Sequence, residues 1–462
     1  MIQLWSLCVP VVIRLTLVAP LLAIALPGCT PQTERPNFIV ILTDDQGYAD
    51  TGRYGAIGFE TPNLDRLADE GLRFTDFYVP ATVCTPSRAA LLTGSYPKRV
   101  GLHEAVLFPY SEHGLNLDET TIPELLKPLG YRTGMIGKWH LGHQAEFMPT
   151  RQGFDSFFGV PYSNDMDGHL YRGRGFQSPP LPLYENEELV ESGPDQAFLT
   201  KRYTEAAVQF IKNNVDDPFF LYLAHNMPHL PLHASAGFAG TSERGLYGDV
   251  IQEIDWSVGE ILAALEEAGL DQRTLIVFAS DNGPVLRPDA GSAGNLRGGK
   301  ATTWEGGMRV PGIVHWPSRI PKGSVSGEVA TTMDLLPTLV SLAGGEMPQG
   351  LDIDGHDISP LLFQPGDATS PYDALYYYSR DGLPEAIREG AWKLHVAKSR
   401  GWNQSDGEFP ISLFNLEADP GETQNVADDH LELVERLKEK LVQFDAALTR
   451  EARPVGQLGG SR

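Results

Sequence analysis

The chain has 462 residues, 42% of them hydrophobic and 21% charged, which is the composition of a globular protein with a large buried core. Its formal net charge at pH 7 is −24, so the surface as a whole repels nucleic acid and anionic membranes and excludes both as general partners. An anionic substrate therefore needs a local cluster of cations on this acidic protein.

The first 29 residues differ from the rest of the chain. Arg14 is their one charged residue, and an apolar run from Leu15 to Leu26 follows it. This pattern predicts an export signal at residues 1–29 and a periplasmic or cell-surface protein, while Pro20 and the shortness of the run disfavour a permanent membrane span. The closing residues, LPGC, also resemble a lipoprotein cleavage box, so a lipid anchor at Cys29 stays open as the one expected route to a membrane.

Two later segments have the pattern of strands that are buried on both faces of a parallel sheet. The apolar runs are Phe38–Leu42, in PNFIVILTDDQG, and Leu275–Phe278, in RTLIVFASDNG. Both are followed by acidic or amide side chains. Because ligands bind beyond the carboxyl ends of strands in open α/β sheets, we expect the two ends to converge on one site. The polar residues at these ends are Asp44, Asp45, Asp281 and Asn282.

The segments between these two strands contain helical and strand patterns. TPNLDRLADEGLRF predicts a helix with Thr61 at its N-cap, and YGDVIQEIDWSVGEILAALEEAGL predicts a long helix that leads into the second acidic-ended strand. YRTGMIGKWHLG and PFFLYLAHNMPHLPL predict two further strands, and residues 168–194 predict a surface loop that shapes access. The polar residues at or near these strand ends are Lys138, His140, His225 and His229.

Beyond about Pro360 the pattern changes. Short β-like runs, ALYYYSR, WKLHVAK and ISLFNLEADPGE, precede an amphipathic helix at Leu431–Leu448. We therefore expect a main domain at residues 36–362 and a smaller α+β domain at residues 363–452, after the signal segment.

The stretch CTPSRAALLTG places Cys84 at the start of a predicted helix. Pro86 suits the first helical turn, and Arg88 projects from the next turn near the same end. Unpaired backbone N–H groups and the helix dipole favour an anion there. After signal removal Cys84 has at most one potential disulfide partner, which excludes a disulfide framework. Taken alone, the pair is also compatible with a small buried side chain and a surface charge.

The same stretch is similar to the signature of the type I sulfatases, in which the cysteine is oxidised after synthesis to formylglycine. GYRTGMIGKWHLG resembles the second signature of that family. TDDQG, PHLPL, SDNG, GGKATTWEGGMRVP and LEADPGETQN resemble further family segments, in the family's order. The resemblance extends from about Pro36 to about Leu448. GFDSFFGVPYSND and RGLYGDVIQEID look most like the branch that contains arylsulfatase A and the N-acetylgalactosamine-6-sulfatases.

This resemblance implies a fold, a metal site and a cluster of cations. The implied fold is α/β and alkaline-phosphatase-like, with a mixed, mostly parallel sheet sandwiched by helices and a smaller C-terminal α+β domain with an antiparallel sheet and a helix. Oxygen ligands without histidine or thiolate suit Ca²⁺, or Mg²⁺, much better than zinc. The implied metal residues are Asp44, Asp45, Cys84 as formylglycine, Asp281 and Asn282. The implied catalytic residues are Cys84, Arg88, Lys138, His140, His229 and Lys300, and His225 is expected to be structural.

In the mechanism that the resemblance implies, hydrated formylglycine attacks the sulfur in line and a covalent sulfo-enzyme forms. Arg88 steadies the diol. Lys138 and Lys300 bind sulfate oxygens, and His229 protonates the leaving alcohol. His140 removes a proton so that sulfate leaves and the aldehyde returns. A formylglycine-generating enzyme is the implied partner during maturation.

The resemblance, together with the expected export, implies a sulfatase for sulfate monoesters, exo-acting on sulfated carbohydrates with galactose- or N-acetylgalactosamine-type 6-O-sulfate favoured, and also active on aryl sulfates. A phosphonate or phosphodiester hydrolase of the same superfamily and a non-catalytic sulfated-glycan-binding protein are the alternatives. Two loops, PYSNDMDGHLYRGRG and PVLRPDAGSAGN, hold the candidates for contacts with sugar hydroxyls, although polar loop residues are often merely solvated. These candidates are Asp165, His169 and Arg287.

Overall fold

The computed structural model describes residues 35–168, 178–397, 399, 401 and 409–459, together with Met1 and Pro10. Residues from Arg35 onward form a compact unit of their own. The expected export signal with Cys29, and the loop residue His169, lie outside the described residues. Across the described ranges, no helix combines the length and the apolar character that a membrane crossing requires.

Strands and helices alternate along much of the described chain. The strands are β1 (Asn37–Thr43), β2 (Leu72–Phe74), β3 (Phe77–Tyr78), β4 (His113–Gly114), β5 (Arg132–Lys138), β6 (Ser156–Val160), β7 (Pro182–Glu185), β8 (Glu188–Ser192), β9 (Phe219–Ala224), β10 (Thr274–Ser280), β11 (Gly312–His315), β12 (Ser324–Ser326), β13 (Ala330–Thr331), β14 (Leu375–Tyr378), β15 (Pro384–Glu389), β16 (Trp392–His395), β17 (Ser412–Asn415) and β18 (Gly456–Gln457). The α-helices are α1 (Pro62–Glu70), α2 (Cys84–Thr93), α3 (Ile122–Leu126), α4 (Leu199–Asn213), α5 (Leu246–Ala268), α6 (Glu305–Met308), α7 (Leu335–Leu342), α8 (Ser359–Phe363) and α9 (Leu431–Arg450).

The main sheet of the described chain has the strand order β12-β2-β11-β10-β1-β9-β5-β6-β7-β8. Its centre is parallel, because β1 pairs in parallel with β10 and β9, and β5 pairs in parallel with β9 and β6. Antiparallel pairs occur towards both edges, where β11 joins β10 to β2, and β7 joins β6 to β8. The expected mixed, mostly parallel sheet is therefore confirmed.

Both faces of this sheet are covered, and β1 shows why its sequence is an unbroken apolar run. Alternate residues of a strand point to opposite faces, and all seven residues of β1 are buried. Phe38, Val40 and Leu42 belong to a core that includes residues of α2 and α7. Ile39 and Ile41 belong to a second core that includes residues of α1, α4 and α5. Helices on both sides thus bury both faces, as in other parallel sheets.

Four C-terminal strands form a separate sheet in the order β14-β15-β16-β17, and each neighbouring pair is antiparallel. Helix α9 packs against β15 and β16. This arrangement confirms the antiparallel sheet with a helix that we expect in the C-terminal part, although β15 is absent from the predicted strand runs. The domain boundary at residues 362/363 stays a prediction.

Residues 182–192 differ from the expected surface loop. They form the antiparallel hairpin of β7 and β8, which supplies the two outermost strands at one edge of the main sheet. The residues of β8 are mostly exposed, and its sequence, ELVES, contains two glutamates, as is usual for an edge strand. A strand without a buried face has no clear apolar alternation, so periodicity does not reveal it.

Candidate active site

Helix α2 begins at Cys84. All ten residues of α2 are buried, so the helix end that carries the cysteine is enclosed by protein. Pro86 lies in the first turn, where the N–H group that proline lacks has no partner within the helix. Gly94 follows the last turn with a φ of 64°, a left-handed conformation that suits glycine and ends the helix. Cys84 therefore lies at the helix N-terminus that the sequence predicts.

The two acidic strand ends meet beside this cysteine. Strands β1 and β10 are parallel neighbours, so the residues that follow them share one end of the sheet. The backbone N–H of Asp45 donates to Asp281 Oδ1 at 3.2 Å, and Asn282 Nδ2 donates to Asp45 Oδ1 at 2.7 Å. The thiol of Cys84 lies 3.4 Å from Asp44 Oδ1. The structure thus brings together the four polar residues from the two strand ends.

Buried lysines lie against these carboxylates. Lys138, the last residue of β5, places its Nζ 2.5 Å from Asp44 Oδ2. Lys300 places its Nζ 2.6 Å from Asp45 Oδ1 and 3.6 Å from the Sγ of Cys84. Residue 84 is therefore in contact with a carboxylate on one side and an ammonium group on the other.

Arg88 connects α2 to the ends of β5 and β10. Its guanidinium contacts Asp281 Oδ2 through Nε at 2.9 Å and through Nη2 at 2.8 Å. Its Nη1 donates to the backbone carbonyl of Lys138 at 2.8 Å. The side chain is fully buried, so it is not a surface charge. A guanidinium held at several points by a carboxylate and a carbonyl has a fixed orientation.

These charges set different pKa values for two neighbouring carboxylates. Burial opposes ionisation of Asp44, but nearby cations, led by Lys138 and His229, outweigh it and hold the pKa of Asp44 well below its usual range. Burial and the negative charge of Asp44 raise the pKa of Asp281 to about 6. Asp44 is therefore the firmly ionised member of the pair.

The same surroundings disfavour a thiolate at residue 84. Burial, followed by the charges of Asp281 and Asp44, raises the pKa of the Cys84 thiol well above its ordinary value. The thiolate is the reactive form of cysteine. An unmodified Cys84 is therefore poorly suited to attack a substrate directly.

His140 is a neutral imidazole with one nitrogen available. Its backbone is left-handed, with a φ of 63°, and its Nε2 lies 2.9 Å from the carbonyl oxygen of Leu107. Because a carbonyl can only accept, this contact assigns the ring proton to Nε2. Nδ1 is buried and has no hydrogen-bond partner in the described part of the chain. Burial, together with Lys138 and Arg88, lowers the pKa of His140 well below its ordinary value.

His229 and His225 lie in different surroundings, although only three residues separate them. The Nε2 of His229 is 3.6 Å from Asp45 Oδ2, in the site. The Nε2 of His225 is instead 3.3 Å from the hydroxyl of Ser257, and burial lowers the pKa of His225 to about 4. This environment is consistent with the structural role expected for His225.

The donor atoms at this end of the sheet fit a hard divalent cation. The ligand atoms that lie within 4.8 Å of one another belong to Asp44, Asp45, Cys84 and His229. Asn282 Oδ1 is buried without a hydrogen-bond partner among the residues that the structure describes, so it is available as a ligand. Carboxylate and amide oxygens are preferred by Ca²⁺ and Mg²⁺. His229, one of the implied catalytic residues, belongs to this cluster, whereas the Asp281 carboxylate lies against Arg88.

A cavity of about 570 Å³ opens onto Cys84. Two of the candidate loop residues contribute to its lining, together with three implied catalytic residues besides Cys84. These five are Asp165, Arg287, His140, His229 and Lys300. A second cavity of about 560 Å³ is lined by His103 and His113 among others, but it contains none of these groups. The cavity at Cys84 is therefore the substrate site that the geometry supports.

Two further residues of this lining, Ser163 and Phe108, are not among the predicted site residues. The hydroxyl of Ser163 accepts a hydrogen bond from Lys138 Nζ at 3.2 Å. Ser163 lies in the PYSND stretch, but residue type alone does not distinguish it from its polar neighbours. Phe108 ends a short apolar stretch, AVLF, directly before Pro109, and nothing in that stretch distinguishes it from a core residue.

Comparison with known proteins identifies the family. Residues 36–345 match the family model described as Sulfatase, and residues 299–447 match the model described as N-sulphoglucosamine sulphohydrolase, C-terminal. Arylsulfatase A of Bos taurus is 40% identical, and the match covers 93% of this chain and 92% of that protein. N-acetylgalactosamine-6-sulfatase of Canis lupus familiaris is 40% identical, and the match covers 83% of this chain and 75% of that protein.

A solved structure matches over nearly the same extent. The crystal structure of Ps i-CgsB in complex with k-i-k-neocarrahexaose has a TM-score of 0.80 and 32% sequence identity, and the match covers 92% of this chain and 96% of that chain. The residues matched by the Sulfatase model, 36–345, include the buried cluster around Cys84. The chain therefore belongs to the sulfatase family and is a sulfuric ester hydrolase.

Proposed function

We propose that this enzyme removes sulfate from carbohydrates at a formylglycine formed from Cys84, beside a Ca²⁺ ion held at the ends of β1 and β10. One observation carries the proposal. The Sγ of Cys84 lies 3.4 Å from Asp44 Oδ1 and 3.6 Å from Lys300 Nζ, in the lining of the cavity. A side chain at this position contacts the negative and the positive halves of the site at once.

The surroundings of Cys84 support its conversion to an aldehyde. The raised pKa of the thiol disfavours direct attack by sulfur. The hydrated aldehyde would supply an oxygen nucleophile and a second hydroxyl, and the bound Ca²⁺ would supply positive charge beside them. The CTPSR motif around the cysteine is the basis for expecting a formylglycine-generating enzyme as maturation partner.

The residues proposed to hold the metal are Asp44, Asp45, Asp281 and Asn282. The low pKa of Asp44 keeps a negative charge at the site, and Asn282 Oδ1 adds a neutral oxygen that has no donor among the described residues. This donor set suits Ca²⁺, with Mg²⁺ as the alternative.

Cations and proton donors face the place where the sulfate ester would bind. As the S–O bond breaks, negative charge develops on the leaving oxygen, so fixed donors aimed there lower the barrier. Lys300 binds sulfate oxygens in this proposal, and His229 protonates the leaving alcohol. Both side chains line the cavity, and both lie near Asp45.

The remaining groups orient the site or move a proton. Neutral His140 has an available Nδ1, which can take a proton from a hydroxyl at residue 84. Arg88 is held by Asp281 and so keeps its charge near the start of α2. Lys138 contacts both Asp44 and Ser163, so it supports the carboxylate and the cavity wall together.

The cavity wall supports a substrate rich in hydroxyl groups. Asp165 lines the cavity, and its Oδ1 is buried without a hydrogen-bond partner in the described chain. A buried acceptor of this kind costs free energy until a donor reaches it. A sugar hydroxyl is such a donor, and Arg287 in the same lining can bind a second hydroxyl.

The names of similar proteins narrow the sugar. One relative is an N-acetylgalactosamine-6-sulfatase, and the similar solved structure is a complex with k-i-k-neocarrahexaose. We therefore favour exo-action on galactose- or N-acetylgalactosamine-type 6-O-sulfates. Export to the periplasm or cell surface, with or without a lipid at Cys29, is proposed from residues 1–29 alone.

A panel of defined sulfated saccharides tests the substrate class, with 4-methylumbelliferyl sulfate and an aryl phosphodiester as reference substrates. We expect cleavage of at least one 6-O-sulfated galactose-type saccharide, and aryl sulfate turnover well above aryl phosphodiester turnover. Good aryl sulfate turnover without cleavage of any saccharide would refute carbohydrate specificity. Faster phosphodiester turnover would instead support the phosphodiester hydrolase alternative.

A further inference from the structure

We propose that Thr85 is a positioning residue for the release of sulfate. Its hydroxyl closes a ring of hydrogen bonds that fixes the orientation and the tautomer of the His140 imidazole, so that Nδ1 is kept free as a proton acceptor. This inference rests on the proposed function, in which His140 takes a proton from a hydroxyl at residue 84. It assigns a role to a side chain that lies directly beside residue 84 in the sequence but outside the lining of the substrate cavity.

Thr85 joins two segments that are distant from it in the sequence. Its Oγ1 donates to the backbone carbonyl of His140 at 2.9 Å. The same Oγ1 accepts a hydrogen bond from the backbone N–H of Leu107 at 3.1 Å. A hydroxyl has one proton to donate and lone pairs that accept, so both bonds form at once. Thr85 is 2% exposed, so both bonds are shielded from water.

Leu107 completes the ring of hydrogen bonds. Its carbonyl accepts from Nε2 of the His140 side chain at 2.9 Å. The three contacts therefore run from Thr85 to Leu107, from Leu107 to the imidazole, and from the backbone of His140 back to Thr85. Because a carbonyl can only accept, it keeps the proton on Nε2 and leaves Nδ1 unprotonated. Nδ1 has no hydrogen-bond partner among the described residues, so its lone pair is available.

The backbone of His140 also depends on this ring. Its φ of 63° is left-handed, a conformation that residues other than glycine keep only where the surrounding structure fixes it. The N–H of His140 donates to the carbonyl of Pro161 at 3.1 Å, and its carbonyl accepts from Thr85. Loss of the Thr85 hydroxyl deprives this carbonyl and the N–H of Leu107 of the partner that they have in the structure, which costs free energy at buried positions.

Thr85 acts from outside the substrate site. Cys84 and His140 line the cavity at the active site, whereas Thr85 and Leu107 line the second cavity of about 560 Å³. The hydrogen-bonded ring therefore lies between the two cavities, behind the groups that react. A change in the Thr85 side chain thus alters the position of His140 rather than a contact with substrate.

The step that this ring supports is the release of sulfate from residue 84. His140 Nδ1 takes the proton of the free hydroxyl on the sulfated carbon. The electron pair of that O–H bond becomes the second bond of the C=O group, the bond from carbon to the sulfate oxygen breaks, and sulfate leaves with its electron pair. The preceding step, in which the alcohol departs, uses His229 as proton donor. A displaced His140 therefore slows the second step alone.

Rapid mixing with 4-methylumbelliferyl sulfate separates the two steps, on enzyme whose converted fraction at residue 84 is measured by mass spectrometry. Thr85→Val keeps the shape of the side chain and removes the hydroxyl. We expect its steady-state rate per converted site to fall about 10–100-fold, because small displacements of a reacting group have effects of that size. The first turnover should keep its rate, so a burst of 4-methylumbelliferone that matches the converted sites precedes the slow phase.

NMR of isotope-labelled histidine measures the tautomer without any dependence on activity. The nitrogen chemical shifts of an imidazole distinguish the Nε2-protonated tautomer, and the signals that disappear in His140→Gln are those of His140. We expect this tautomer alone in the unmodified sequence and a mixture of tautomers in Thr85→Val.

Two variants control for general effects on the fold. Thr85→Ser keeps the hydroxyl, so it should restore both the steady-state rate and the single tautomer. Thr93→Val is the matched control, because Thr93 is buried at the other end of the same helix and its hydroxyl donates to the carbonyl of Ala89 at 2.8 Å. It should change neither measurement.

The outcomes distinguish the two proposals. The role of Thr85 is refuted if Thr85→Val has full steady-state activity, an equally slowed first turnover or an unchanged tautomer. It is also refuted if Thr85→Ser is as slow as Thr85→Val. If converted enzyme releases no aryl alcohol in any variant, the proposed function fails, and the tautomer of His140 still decides whether Thr85 orients its ring.

Discussion

Lys300 shows how one side chain can serve structure and chemistry in the same position. Burial disfavours its charge, but Asp45 outweighs that effect and raises the pKa of Lys300 above its ordinary value. The ammonium group therefore stays charged within 3.6 Å of the Sγ of residue 84. A fixed cation in a buried site stabilises developing negative charge far better than one surrounded by water.

Lys300→Met keeps the length of the side chain and removes the charge. We expect kcat/KM for aryl sulfate to fall about 10²–10³-fold, the usual effect of removing one such electrostatic group. The control is Lys322→Met, since Lys322 is 65% exposed in its side chain and lies elsewhere on the surface. A Lys300→Met enzyme with native circular dichroism and activity within threefold of the unmodified sequence contradicts the proposed role.

At the level of single residues, the sequence is most informative where a motif fixes both residue type and position. Asp44 and Asn282 follow buried strands, so their proximity could be predicted from the sheet alone. Ser163 and Phe108 lie in loops whose paths depend on distant contacts, and no local pattern separates them from their neighbours. Their position at the cavity is therefore visible only in the folded structure.

At the level of elements, the N-terminus of helix α1 is capped by a residue that lies far away in the sequence. Thr61 stands at the predicted N-cap, but its hydroxyl accepts a hydrogen bond from the N–H of Gly52 at 2.8 Å. The N–H groups of Asn63 and Leu64 donate instead to Asp255 Oδ1, at 3.0 Å and 2.8 Å. Asp255 belongs to α5, which packs against α1. The N-capping rule correctly places the start of the helix. It cannot identify Asp255 as the capping residue, because Asp255 is far from α1 in the sequence.

Asp255→Ala removes this cap and leaves two backbone donors of α1 without their acceptor. We expect the free energy of unfolding to fall by about 1–2 kcal/mol, the typical effect of losing a capping side chain. Urea denaturation followed by circular dichroism measures it. Glu260→Ala, at an exposed position of the same helix, is the control. Equal stability of the two variants would show that Asp255 does not cap α1.

The hairpin of β7 and β8, unlike α1, is not predicted from the sequence at all. Central strands such as β1 and β10 are buried on both faces, so their apolar runs are continuous and recognisable. The hairpin strands lie at an edge, and β8 has mostly exposed residues. Their pairing is set by the neighbouring β6, which no local pattern encodes.

At the level of the whole molecule, buried ion pairs join the C-terminal sheet to the main part of the chain. Lys393, in β16, places its Nζ 2.8 Å from Glu305 Oε1 in α6. It also lies 3.0 Å from Glu422 Oε1, which is in turn 3.0 Å from His395 Nε2. Burial opposes ionisation of Glu305, but Lys393 and two arginines outweigh it and lower the pKa of Glu305 to about 2.

Glu305→Gln removes one of the two carboxylates that pair with the buried ammonium group of Lys393. We expect a loss of about 3 kcal/mol in the free energy of unfolding at pH 7, because breaking a buried pair leaves a charge poorly compensated. The folded pKa lies below the ordinary value of 4.5, so ionised Glu305 stabilises fully above that pH and loses its effect as pH falls through about 2. The difference in the free energy of unfolding between the unmodified protein and the Glu305→Gln variant should therefore narrow below pH 4.5.

Urea unfolding at a series of pH values measures that difference, with Glu346→Gln at an exposed position as the control. A difference that does not change with pH, or no difference from the control, argues against a role for this pair in holding the C-terminal sheet.

The central claim concerns the chemical state of residue 84, and mass spectrometry of the peptide that contains it is the most direct measurement. The enzyme is produced together with a formylglycine-generating enzyme, and the converted fraction is compared with aryl sulfate turnover across preparations. We predict a peptide with an aldehyde in place of the thiol and a rate that rises in proportion to the converted fraction. Full activity in a preparation that contains only unmodified cysteine at this position would contradict the account.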